Sequence, residues 1–159
     1  MIIKELRDED FINYKKPSMF LAFPSCSFKC CKEGGFPVHI CQNNTLATAP
    51  NIEVSINSLI ERYMNNVITQ AIVFGGMEPF DSWDDLQCFI MNFRYWSNDD
   101  IVIYTGYNKE EVQDKIEWLK LYGPVTVKFG RFVPNQESHY DAILGVKLAS
   151  DNQYAEVIS

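Results

Sequence analysis

The chain has 159 residues, with 14 Lys and Arg against 21 Asp and Glu and a formal net charge of −7. One domain of this length can bury roughly 68–70% of its unfolded surface, whereas a closed eight-fold β/α barrel takes about 250 residues, so any βα architecture has to be partial. The acidic balance excludes wrapping nucleic acid or an anionic membrane, since both require a cationic face that releases counterions from phosphate. At the N-terminus, MIIKELRDEDFINYKK carries charges every few residues and no apolar h-region, so no secretory leader is expected. No apolar run approaches the ~20 residues that span a bilayer. The expectation is a single cytoplasmic domain over residues 1–159, with its thiols kept reduced.

Met19-Phe20-Leu21-Ala22-Phe23 is short and apolar and stops at Pro24-Ser25, the pattern of a buried strand. From Cys26 to Asn51 the chain is polar and rich in Gly, Pro, Asn and Cys, which reads as a long loop. Loops beyond about 12–15 residues in a compact domain are usually functional or disordered. Ser55 opens a helix with Ile56, Leu59, Ile60, Tyr63, Met64 and Val67 on one face. Ala71 to Phe74, ending in Gly75-Gly76, reads as a parallel strand buried on both sides. Asp81-Ser82 caps a helix carrying Trp83, Leu86, Ile90 and Phe93, and Ile101 to Tyr104 is the next strand. Asn108 and Glu111 form a capping box ahead of the stripe Val112, Ile116 and Leu119, which Gly123-Pro124 terminates. Val125 to Val127 is a further strand, and Ile143 to Leu148 is expected to pair beside it. The fold class is therefore α/β, a partial (βα) barrel or an open, mostly parallel sheet with covering helices. Ligands of such sheets bind outside the carboxyl ends of the strands. The Cys loop, Gly75-Gly76-Met77-Glu78-Pro79 and Thr105-Gly106-Tyr107 would converge there.

Cys26, Cys30, Cys31 and Cys41 fall within sixteen residues, with three residues between the first two and ten between Cys30 and Cys41. Thiolates hold iron–sulfur clusters, and three of them leave one iron with an open position. A structural zinc site of Cys26, Cys30, His39 and Cys41, or unligated thiols, suits the spacing as well. Gly75 and Gly76 remove side chains where a ligand could approach the backbone, and Glu78 offers a carboxylate to an ammonium; the plainer reading is a turn. Cys88, between Leu86 and Ile90, reads as a core thiol. Trp83, Trp96 and Trp118 read as packing residues, and His139 as a surface or satisfied histidine.

This combination resembles the radical S-adenosylmethionine superfamily, and within it the small activating proteins of anaerobic (class III) ribonucleotide reductase. Cys26-Ser27-Phe28-Lys29-Cys30 resembles the first two cysteines of the CxxxCxxC motif, and Cys41-Gln42-Asn43 its third. Gly75-Gly76-Met77-Glu78-Pro79 resembles the GGEP motif, Tyr104-Thr105-Gly106-Tyr107 the strand-end TGY, and Ser150-Asp151-Asn152-Gln153 the C-terminal Ser/Asn-Gln segment. Two departures stand out. Ten residues replace two between the second and third cysteines, and Phe129 precedes Gly130 where activases often carry Asp, so no role transfers to Phe129. The resemblance implies a [4Fe-4S] cluster on Cys26, Cys30 and Cys41, with Cys31 a candidate to replace one of them. It also implies S-adenosylmethionine bound by Gly75, Gly76 and Glu78 at its amino group, with Met77, Asn43, Thr105 and Gly106 around it and Ile40 meeting the adenine. No side chain need act as acid or base. The implied partners are the large subunit of anaerobic ribonucleotide reductase, which would lose hydrogen from a glycine, and a flavodoxin- or ferredoxin-type electron donor. Rival readings are radical chemistry on another glycyl radical enzyme or a peptide, and a zinc-stabilised binding module without catalysis.

Overall fold

The computed structural model describes residues 1–159. Its central sheet joins β2 (Glu5–Asp10), β3 (Ser18–Phe23), β5 (Ala71–Gly76), β6 (Asp100–Tyr104), β7 (Val125–Phe129) and β10 (Tyr154–Val157), in the order β10-β7-β6-β5-β3-β2. The four inner strands are parallel, and β2 and β10 close the edges antiparallel. Apolar runs such as Ala71-Ile72-Val73-Phe74 suit this arrangement because an inner parallel strand is covered on both faces. Two small ladders lie outside it, β1 (Ile2–Ile3) with β4 (Ile52–Glu53) and β8 (His139–Asp141) with β9 (Val146–Leu148).

All three longer helices, α3 (Ile56–Met64), α4 (Trp83–Trp96) and α5 (Gln113–Leu119), pack on one face of the sheet. There Leu59, Phe89, Phe93 and Ile116 meet Leu21, Phe74, Ile103 and Val127 in one apolar cluster. Ser55 caps α3 by accepting from the Ser58 amide, and the Asn108/Glu111 capping box forms ahead of α5. The other face carries a smaller cluster, with Phe20, Val73 and Val102 beneath Tyr14 and Leu144. Strand alternation divides β7 between the two: Val125, Val127 and Phe129 face the helices, and Thr126 and Lys128 face the opposite side.

Three expectations change, and one strand, β2, was not anticipated. Residues 146–148 pair with β8, and the place beside β7 belongs to β10, registered from Tyr154 opposite Phe129 to Val157 opposite Thr126. The charged segment ELRDED forms β2, an edge strand whose side chains join ion pairs such as Arg7–Glu5 and Arg62–Asp8. Val67 lies beyond the end of α3 and is fully exposed, outside the apolar face. The Cys region is folded rather than a loop: it holds α1 (Lys29–Gly34), a 3-10 turn at Val38–Ile40 and α2 (Asn44–Thr48).

Candidate functional site

Parallel β3, β5, β6 and β7 end at the same edge, and the segments leaving them enclose a cavity of about 140 Å³. Cys26, Cys30, Cys31 and Cys41 line it together with Asn43, Gly75, Gly76, Met77, Glu78, Thr105 and Gly106. Sequence-distant motifs are thus one site because their strands share a direction.

Local geometry aims the thiols. Cys26 follows β3, and its sulfur accepts from the Phe28 amide at 3.2 Å. Phe28 sits in the left-handed region at φ 55, a conformation uncommon for a bulky residue, and it turns the chain into α1. In the first turn of α1 the Cys30 sulfur accepts from the Phe132 amide at 3.3 Å, across from Gly106. A Cβ on Gly106 would lie 3.2 Å from that sulfur, so the glycine leaves room for it. Burial pushes the Cys26 thiol up to about 12. Burial also raises Cys30, against the opposing pull of Arg131 and Lys128. Cys31 is raised by burial and then by the thiols of Cys41 and Cys30. Such thiols stay protonated until a metal displaces the proton.

The insertion between Cys31 and Cys41 is anchored in its first half, and α2 beyond it is anchored separately. Arg131 donates to both carboxylate oxygens of Glu33, to Glu111 and to the Gly106 carbonyl. Phe36 packs edge-on against Phe132, 6.0 Å between centroids. Beyond Cys41, Lys4 donates to the carbonyls of Ala47 and Ala49 at the end of α2. The ten residues between Cys30 and Cys41 therefore form a small folded flap that returns Cys41 to the cavity.

At the end of β5, Gly76 adopts φ +85, and a Cβ there would come within 2.6 Å of the Ala22 Cβ. Glu78 is buried and accepts from the Thr105 hydroxyl at 2.8 Å and from the amides of Gly106 at 2.8 Å and Phe80 at 3.1 Å. Burial nonetheless pushes its carboxyl up to about 7, against those hydrogen bonds. Thr105 and Gly106, read above as separate contacts, hold the carboxylate in place. Around the rim, Asp81 accepts from the Ser27 amide and the Tyr107 hydroxyl, both at 2.6 Å, and so ties the Cys26 segment to the β6 exit.

The Ser150–Gln153 turn completes the wall. Gln153 lines the cavity and accepts from the Ala149 and Ser150 amides, and Asn152 donates to the Arg131 carbonyl. Gly130, at φ +105, lets that turn approach, since a Cβ would be 2.8 Å from the Asn152 carbonyl oxygen.

Several expected residues lie elsewhere. Ile40 does not line the cavity and is 42% exposed on the 3-10 turn. His39 faces a separate depression with Asn44 and Thr48, so the Cys26/Cys30/His39/Cys41 set is not assembled. No three His, Cys, Asp or Glu side chains converge on one ion. Cys88 is exposed on α4 rather than in the core, because Leu86, Phe89, Ile90 and Phe93 take the buried face. Trp83 and Trp118 pack against the core while Trp96 is 62% exposed. His139 is half-buried, with a partnerless Nδ1.

Sequence reading missed Lys128. It lines the same cavity, is 6% exposed, and donates only to the carbonyls of Thr105 and Gly130. Its signal was the polar residue at an alternate position of an otherwise apolar strand, Val-Thr-Val-Lys-Phe.

Cys26, Cys30, Cys31 and Cys41 thus share the wall of one cavity, with glycine-cleared room beside Cys30, and sulfur donors around a space wider than a single ion fit a thiolate-held cluster. A family model described as "4Fe-4S single cluster domain" matches residues 18–153, from the first residue of β3 to the Ser150–Gln153 turn. No curated protein and no solved structure matches the chain.

Proposed function

Because the chain belongs to the 4Fe-4S single cluster domain family, an iron–sulfur family associated with radical S-adenosylmethionine enzymes, we propose that it is a radical S-adenosylmethionine activase. Its substrate in this reading is a glycine of anaerobic ribonucleotide reductase. The observation that carries the reading is the union, in one cavity at the carboxyl edge of a parallel sheet, of the Cys26–Cys41 thiols with Gly75, Gly76 and Glu78. Cys26, Cys30 and Cys41 would hold the cluster, with Cys31 beside them. Held there, a cluster would supply the electron for reductive cleavage of S-adenosylmethionine to methionine and a 5′-deoxyadenosyl radical able to take hydrogen from the glycine.

The protein's own part is binding and orientation. The Gly75-Gly76 backbone admits the amino group closely, and Glu78, fixed by Thr105 and the Gly106 amide, offers it an anionic acceptor. An ammonium beside it would favour the ionised carboxylate against the protonated form that burial favours. Asn43 and Gln153 supply polar edges to the same cavity. Phe28 and Phe132 give its wall an apolar part.

Anaerobic purification tests the reading. The expected product is a brown protein with about four irons per chain, which forms 5′-deoxyadenosine from S-adenosylmethionine when reduced. It should also yield a glycyl radical signal when a class III reductase is added. A colourless protein carrying one zinc would sink the reading. 5′-Deoxyadenosine formation without a radical on the reductase would keep the chemistry and transfer it to another glycyl radical enzyme or a peptide.

A further inference from the structure

Two cations stand near Cys30, and they differ in how their charge is spent. Arg131 is neutralised by Glu33 and Glu111. Lys128 has no carboxylate within ion-pair distance: its ammonium donates to two neutral carbonyls, at 3.3 Å to Thr105 and 3.2 Å to Gly130. An ammonium carries three donors, so one is unspent. The nearby acid, Glu78, directs its oxygens to Thr105, Gly106 and Phe80. Glu78 offsets this charge only from beyond ion-pair distance, and a fold tolerates such burial where a further opposite charge arrives to meet it. Lys128 lies in the wall of the cavity that the thiols line, and its charge acts on the Cys30 thiol.

We propose that Lys128 is the built-in counter-charge of the cluster and makes its one-electron reduction easier. This rests on the iron–sulfur reading above. Reduction adds one electron from an external donor and hence one negative charge to a thiolate-held cluster in a site of low dielectric. A fixed ammonium stabilises the reduced form more than the oxidised form, and no proton need leave Lys128. The effect is electrostatic, so any cation of suitable reach in this place should reproduce it and no neutral side chain should.

The test is a dithionite titration of the anaerobically reconstituted full chain, followed by EPR. Wild type is compared with Lys128→Met, Lys128→Gln and Lys128→Arg, with iron content and far-UV circular dichroism as controls. Expected are equal iron contents, midpoint potentials shifted to more negative values in the Met and Gln variants, and a return toward wild type in the Arg variant. Gln keeps a donor for the carbonyls, so it remains informative if Met disturbs the fold. An unchanged midpoint in both neutral variants overturns the proposal, as does an equal shift in all three. A neutral variant that keeps its midpoint but binds S-adenosylmethionine more weakly also overturns it and makes Lys128 a carboxylate-recognition residue. Failure of the wild type to hold any iron is a different result, since that removes the iron–sulfur reading itself.

Discussion

The two faces of the central sheet are made from the same strands and have opposite characters. Toward the helices, alternate residues such as Leu21, Phe74, Ile103 and Val127 form one large apolar cluster with α3, α4 and α5. Toward the other side, the cluster is smaller, and at the carboxyl edge it gives way to thiols, glycines, Glu78 and Lys128. Stability is concentrated on the first face because apolar burial is the dominant favourable term. The second face contains the buried ionisable groups, which cost stability and are tolerable because the first face has a surplus. The difference teaches that a strand can serve packing and chemistry at once, through nothing more than its period of two.

The largest effect should come from the helix face. Phe89 is fully buried between Phe74, 5.2 Å away edge-on, and Phe93 at 6.1 Å. Phe89→Ala should lower unfolding free energy by about 3–5 kcal/mol in urea titrations. That loss should be the same at pH 5 and pH 7. A cost under about 1 kcal/mol would break the division of labour between the faces.

Glu78→Gln sharpens the contrast through its pH dependence. In the folded chain the carboxyl titrates at about 7, above its ordinary 4.5, so between those values the folded state holds a proton that the unfolded state has released. Stability must therefore fall as pH rises from about 4.5 to about 7, by up to about 3 kcal/mol for a shift of this size. Glu111 works in a separate window: Arg131 holds it down to about 2, so its contribution is lost only as pH falls below 4.5. Urea midpoints of the metal-free protein from pH 4.5 to 7.5 should decline in wild type and flatten in Glu78→Gln. Parallel slopes in the two proteins would show that burial of Glu78 has no such cost.

How much of this could be read in the sequence follows the same division. The inner strands and α3, α4 and α5 were legible because apolar periodicity and capping residues such as Ser55 and Asn108 are local signals. The convergence of the Cys segment, Gly75-Gly76 and Thr105-Gly106 was legible because parallel strands place their exits on one edge. Edge strands were not: β2 is too charged to look like a strand, and β10 pairs with β7 across a long separation that no local pattern encodes. The role of Thr105 and Gly106 as holders of Glu78 depends on three-dimensional approach. So does the exposure of Cys88, since one turn of α4 offers an apolar residue at nearly every position and only packing selects the buried ones. Lys128 was missed because a lysine in a strand is ordinarily assigned to a solvated face.

The smallest expected effect concerns the flap that bridges the faces' common edge. Arg131 joins Glu33 on α1 to Glu111 and to the Gly106 carbonyl, and it also lies over the Tyr107 ring, 5.6 Å from its centroid. Glu33 is well exposed, so water competes for that pair and its worth to global stability is small. Its consequence is local, because the insertion contributes little to either apolar cluster and depends on polar anchors for its position. Glu33→Gln should therefore leave the urea midpoint near wild type while raising the rate of proteolytic cleavage between Cys31 and Cys41 in the metal-free protein. Cluster binding ought to restore protection if Cys41 is a ligand, since the bond then anchors the flap from the cavity side. Cys31→Ala and Cys41→Ala in the same assay decide which thiol does so: the variant that loses its iron, and with it the cluster-dependent protection, identifies the anchoring residue. Should Glu33→Gln lower the urea midpoint as much as Phe89→Ala, the flap would belong to the cooperative core, and the contrast between a packed face and a polar-anchored edge would fail.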